Sequence, residues 1–172
     1  AAMDSTFNTV LPFNKPGYGA SGRVFVGSMG APIVISEVQL GNSGNTRAEF
    51  IELYNRTDQT ISITDWDLAY SADGLTWTQI IDDISSVNIP SGSFDLYLNP
   101  AIGTSIGGKN GTPGNANWSD LNGVSGIVAL RGPGNEIIDS VGWGTPANTS
   151  ACEGGSCATA PPAGGSLERK AF

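Results

Sequence analysis

No apolar stripe in this chain keeps the 3.6-residue period of a helix long enough to bury one. The apolar residues come in short runs, broken by turn-forming clusters such as Gly41-Asn42-Ser43-Gly44, Ser71-Ala72-Asp73-Gly74 and Arg131-Gly132-Pro133-Gly134. A chain punctuated in this way can close a core only by pairing strands. The pattern predicts strands over residues 33–40, 49–55, 61–64, 66–71, 77–80, 94–98, 126–131, 137–143 and 167–170. Many short strands separated by frequent turns pack as two antiparallel sheets. The fold class is therefore all-β, a sandwich, and Trp66 and Trp143 are expected to pack in its core or between its sheets.

The chain of 172 residues is long enough for one domain that buries about 70% of its unfolded surface. With 39% hydrophobic and 14% charged residues it is too apolar for disorder. The net charge is −8, and the eight basic residues are scattered, only Arg169 and Lys170 being adjacent. No basic stripe exists to neutralise phosphates, which argues against nucleic acid and an anionic membrane surface as partners. No apolar run approaches the roughly 20 residues of a membrane span. No secretory signal is visible. The chain opens on Ala1-Ala2, as after cleavage at a small-residue site, and an arbitrary boundary would look the same.

Two cysteines, Cys152 and Cys157, flank Glu-Gly-Gly-Ser, and the paired glycines let so short a loop close. We read them as a structural disulfide. With no histidine in the chain a zinc site lacks ligands, and no neighbouring cation activates a dithiol. A disulfide implies an oxidising compartment, or a hot one. Asn55, Asn110, Asn117 and Asn148 each begin an N-x-Ser/Thr sequon and are candidate glycosylation sites, in weak support of an extracellular location.

The chain divides near Pro32. Residues 1–31 form an N-terminal arm, and residues 32–172 form the sandwich. In the arm, Phe7, Thr9, Leu11 and Phe13 fall on one side of an extended strand. A Gly/Pro-rich linker follows, then a second short strand carrying Val24, Phe25 and Val26.

Several blocks carry a family resemblance. Ile35-Ser36-Glu37-Val38, then Glu49-Phe50-Ile51-Glu52-Leu53-Tyr54-Asn55, then Ile63-Thr64-Asp65-Trp66-Asp67-Leu68 look like the opening of a lamin-tail domain. Ile89-Pro90-Ser91-Gly92 before Phe94-Asp95-Leu96-Tyr97-Leu98 is similar to that family's turn and following strand. Gly134-Asn135-Glu136-Ile137-Ile138-Asp139-Ser140-Val141 and Gly165-Ser166-Leu167-Glu168-Arg169 resemble its last strands. The resemblance is to prokaryotic extracellular members and implies an immunoglobulin-like β-sandwich used non-catalytically. Two departures stand out: Asp65, where the family usually has glycine, and a Gly/Asn-rich insert over residues 103–117.

Catalysis is hard to assemble from these residues. Without histidine, Ser-His and Cys-His nucleophile pairs are excluded. Glu37, Glu49 and Glu52 are candidate paired carboxylates, but they lie inside strands rather than on loops around a cleft. The structural reading is an ion pair in which Glu49 or Glu52 meets Arg169 and pins the closing strand. Acidic turns (Asp65 and Asp67, Asp73, Asp82-Asp83, Asp120) could contribute to Ca²⁺ binding, although no recognised calcium spacing is present, and ordinary solvated turns account for them. No other cofactor is expected.

These readings describe a non-catalytic extracellular protein, a structural subunit of a filament or coat whose partners are copies of itself. Residues 6–13, or the strand at Val24–Val26, would complete a neighbour's sheet. Burying Phe7, Leu11 and Phe13 would contribute roughly 5–8 kcal/mol before the cost of ordering. Such a head-to-tail contact does not close on itself and so builds fibres. The alternative is a monomeric secreted adhesion module in which exposed Tyr18, Trp77 and Trp118 recognise a glycan or a surface protein.

Overall fold

A computed structural model of the chain describes residues 31–41, 48–116, 118, 120–152 and 155–169. The arm residues Phe7, Thr9, Leu11, Phe13, Val24, Phe25 and Val26, and also Asn117, lie outside the described residues.

Two sheets face each other. The first is built from β1 (Ile33–Gln39), β2 (Phe50–Asn55), β7 (Phe94–Leu98), β10 (Thr112–Pro113) and β13 (Ser166–Glu168), in the order β10-β7-β2-β1-β13. The second contains β4 (Trp66–Ser71), β5 (Thr78–Ile84), β11 (Gly126–Arg131) and β12 (Ile137–Trp143), in the order β12-β11-β4-β5. Pairing within them is antiparallel except between β10 and β7. The short strands β3 (Ile61–Ser62) and β6 (Asn88–Ile89) pair with each other, as do β8 (Ser105–Ile106) and β9 (Lys109–Asn110). The fold is the all-β, immunoglobulin-like sandwich expected from the sequence.

Alternation sets the layers. In β2, Ile51, Leu53 and Asn55 are buried while Phe50, Glu52 and Tyr54 face the other way, the period of a strand covered on one face. The shared core joins Ile33, Ile35, Val38, Ile51 and Leu53 of one sheet to Leu68, Ile80, Val128, Leu130 and Trp143 of the other. The second sheet departs from this pattern. Residues 67–71 of β4 are buried on both faces, and residues 144–152 and 155–160 lie over the outer side of this sheet. There the disulfide pair packs on Ile127 with Trp77 and Ala151.

Both departures from the family pattern have a local cause. Asp65 holds φ +63°, the left-handed region in which glycine is most at ease, at the turn into β4. The insert forms a hairpin whose two central residues, Gly107 and Gly108, both have positive φ, as a tight two-residue turn requires. It then returns to the first sheet through β10.

Candidate functional site

The closing strand and the bulge in β1 define one site. The pairing of β1 with β2 shifts register between Ile35 and Glu37, so Ser36 is the extra residue of a bulge, while Ile35 lies opposite Leu53 with its own N–H and C=O turned away from β2. Side chains bond both groups. Asp139 Oδ2 accepts the N–H of Ile35 at 2.7 Å, and Arg169 Nε donates to the Ile35 carbonyl at 3.0 Å. Arg169 Nη2 in turn donates to Asp139 Oδ2 at 2.9 Å and to Oδ1 at 3.2 Å. Asp139 lies on the inner face of β12, opposite Leu130, so this clamp ties the second sheet to the edge of the first. Burial raises its pKa, against the attraction of Arg169 and the hydrogen bond from Ile35, which lower it.

The expected pairing of Arg169 with Glu49 or Glu52 is therefore corrected: the carboxylate it meets is Asp139. Register explains why. Leu167 lies opposite Val38 of the core, so Arg169, two residues on, also turns inward. Glu52 lies opposite Glu37 on the outer face, where it accepts the Ser36 hydroxyl at 2.7 Å. Glu49 shares the inner face but sits at the far end of β2, on the order of 13 Å along the strands.

Glu49 ties together the segments on either side of the insert. Fully buried, it accepts Asn99 Nδ2 at 3.0 Å, Trp118 Nε1 at 3.1 Å and the Leu121 N–H at 2.7 Å. Burial pushes its pKa up to about 7, and the nearby negative Asp120 adds to the rise, although the three donors pull it down. Its backbone carbonyl also accepts the Asn99 N–H at 3.0 Å. The insert itself bonds to both sheets, Gly114 N–H to Leu98 O at 2.8 Å and Asn115 N–H to Ile80 O at 2.9 Å, and so is part of the sandwich rather than a free appendage.

Beside the Asp139–Arg169 clamp a groove of 360 Å³ opens between the two sheets, lined by Val141 and Gly142 of β12, by Ser156, Ala158 and Thr159, and by residues 166–169. Its lining is mixed: Ser156, Thr159, Ser166, Glu168 and Arg169 are polar, while Leu167 and Val141 are half-buried and packed against the core from this side. On the outer face next to it, Glu37 stands opposite both Glu52 and Glu168, a line of three carboxylates across three strands.

Cys152 and Cys157 form the expected disulfide, with Cα atoms 5.0 Å apart. Trp143 is fully buried, as expected, stacks on Tyr70 and donates from its indole to the Asn122 carbonyl at 2.7 Å. Two expectations fail. Asn55 is fully buried, and its amide nitrogen donates to the carbonyls of Gln59 and Ile89, both at 2.7 Å, so no sugar can reach it. Trp118 is buried on Glu49 and offers no open aromatic face, whereas Trp77 packs against the disulfide but stays half-buried, and Tyr18 lies outside the described residues. Asn110 is exposed on β9, and the Asn148 amide donates to Gly74 O at 3.1 Å.

Two of the acidic residues, Asp67 and Asp73, are engaged by the protein itself. Asp67 meets Arg131 through two hydrogen bonds of 2.7 and 2.9 Å and accepts Gln79 at 3.1 Å. Asp73 caps its own turn through Leu75 N and Thr76 N. Among the described residues no three metal-ligating side chains cluster, and no helix is long and apolar enough to cross a membrane.

Asp139 was the residue that sequence reasoning missed. Its signal was present: one acidic side chain inside the apolar run Ile137-Ile138-Asp139-Ser140-Val141, at a position that alternation places inward. Such a residue needs a buried cation and hydrogen-bond donors.

A sandwich with this register, whose polar residues serve to join its layers, belongs to the immunoglobulin-like class used as structural or binding modules. The lamin tail domain family model matches residues 28–145, more than half of the chain, and the protein belongs to that family. The family is generally non-enzymatic. The sandwich continues beyond the matched residues to β13, which completes the first sheet. No curated protein matches the chain.

Proposed function

We propose that this chain is a self-assembling subunit of an extracellular filament or coat, joined to its neighbour by an N-terminal strand. The supporting observation is that strands between Ile33 and Glu168 account for both principal sheets, while the sequence places a further strand-forming segment, residues 6–13, ahead of them. That segment carries Phe7, Leu11 and Phe13 on one face, more apolar surface than a solvated tail needs. The disulfide supports an oxidising, extracellular setting. The burial of Trp118 counts against a glycan-stacking surface built on that residue.

Negative-stain electron microscopy of the full chain, beside sedimentation of a chain lacking residues 1–22, tests this reading. Ordered fibres from the first and soluble monomer from the second are expected. Monomer from both would overturn it.

A further inference from the structure

The acceptor for such a strand can be read from the hydrogen bonds of β13. The Leu40 N–H bonds to Gly165 O at 3.2 Å, and the Arg169 N–H bonds to Ser36 O at 2.8 Å. In an antiparallel ladder this makes Leu40–Gly165, Val38–Leu167 and Ser36–Arg169 the hydrogen-bonded pairs. The N–H and C=O groups of Ser166 and Glu168 therefore point away from β1, toward the groove. Among the described residues none bonds them. The free edge of β12 is closed at Gly142–Gly144, where the Ala158 N–H bonds to Gly142 O and the Gly144 N–H bonds to Ala158 O, both at 2.8 Å. At β5 the Asn115 N–H occupies Ile80 O at 2.9 Å. Of these three edges, β13 alone combines backbone groups that no described residue bonds with a cleft into which apolar side chains, Leu167 and Val141, face.

We propose that the groove beside β13 is the acceptor site for residues 6–13 of a second copy of this chain, added parallel to β13. This rests on the assembly reading above. Two features of the segment set the direction. Phe7, Thr9, Leu11 and Phe13 must face inward, with Leu167 and Val141, for their burial to count. Pro12 has no N–H, so its backbone must face away from β13, and the odd-numbered residues must supply the hydrogen bonds.

In an antiparallel addition, the residues bonding to Ser166 and Glu168 would share those residues' outward face, which would expose Phe7, Leu11 and Phe13. In a parallel addition, a donor residue opposite Leu167 gives its N–H to Ser166 O, takes the Glu168 N–H, and points inward beside Leu167. Both requirements then hold at once. The 17 residues from 14 to 30 extend up to about 55 Å, farther than the roughly 35–40 Å width of a compact domain this size, so the segment reaches a neighbour. Residues 6–13 carry no charge and bring none to oppose Glu168.

Cysteine pairing on the full chain tests the site, the direction and the source together. The parallel register places even-numbered donor residues beside exposed Glu168, on the outer face. Chains carrying only Val10→Cys or Asn8→Cys are mixed with chains carrying only Glu168→Cys, the native disulfide being retained, and the products are oxidised mildly and weighed by mass spectrometry. A mixed dimer from an even-numbered variant, at least tenfold above that from Leu11→Cys with Glu168→Cys, is the expected result. Equal or reversed yields would overturn the parallel register. Fibres that form without any adduct at position 168, but with one at Gln79→Cys on β5, would overturn the acceptor site and leave assembly standing. A monomeric Val10→Cys/Glu168→Cys chain cross-linked only within itself would overturn both the second copy as donor and assembly. Absence of both fibres and adduct would likewise overturn both.

Discussion

Asp139 and Arg169 jointly take the Ile35 backbone groups that face away from β2. The carboxylate takes that residue's N–H at 2.7 Å, the guanidinium gives to its carbonyl at 3.0 Å, and the two side chains bond to each other at 2.9 Å. Burying a charged pair is costly in itself, and the arrangement is stable because each partner also satisfies backbone that faces away from β2. Asp139 is 1% exposed, so removing its partner strands a carboxylate in the core.

Arg169→Ala is expected to destabilise the fold by about 3–5 kcal/mol, the usual result of breaking a buried pair from one side. Arg169→Lys keeps the charge but cannot reproduce the planar Nε and Nη2 contacts, so it recovers only part of the loss. Urea denaturation of the variants beside the parent measures both; a change below 1 kcal/mol for Arg169→Ala would mean the clamp is dispensable.

Glu49 makes stability depend on pH. Its folded pKa of about 7 lies above its ordinary value of 4.5, so the folded state holds the proton more tightly than the unfolded state does. The sign is therefore opposite to that of a salt-bridged carboxylate. The contribution is fully present below pH 4.5 and is lost as the pH rises through 7, on the order of 3 kcal/mol across that window. Glu49→Gln should flatten this part of the profile while lowering stability at acid pH, because its NH₂ group faces N–H donors. Denaturant midpoints measured from pH 4 to 8 would show either the decline or its absence.

Asn55 is expected to remain unmodified in protein recovered from a glycosylating host, with any sugar confined to accessible sequons such as that at Asn110. Peptide mass spectrometry reads this directly. Asn55→Asp turns an acceptor oxygen toward the carbonyls of Gln59 and Ile89 and should cost about 3 kcal/mol.

Reduction of Cys152–Cys157 should cost about 2 kcal/mol, the loop being short. Gly142→Ala tests the packing beneath it. A Cβ there would lie 2.3 Å from Cys152 Sγ, so the disulfide loop must move off β12, at about 1–3 kcal/mol. If thermal melts of Gly142→Ala match the parent, the disulfide does not hold its place on β12 through this contact.

The alternation of residues such as Ile51, Leu53 and Asn55 against Phe50, Glu52 and Tyr54 determined the strands and their inner faces, because a strand's period of two is a local property of the backbone. The short Cys152–Cys157 loop and the turn clusters were legible for the same reason. Which acid meets Arg169 was not legible. Asp139 and Arg169 are 30 residues apart, and Asp139 and Ile35 are 104 apart; they meet only because β1, β12 and β13 converge at one edge and a bulge opens there. Burial of Asn55 and Trp118 was decided in the same way, by the β6 turn and the returning insert closing over side chains that a linear reading leaves in solvent. Local pattern determined the strands, and only the packing of distant strands decided which polar groups they trap.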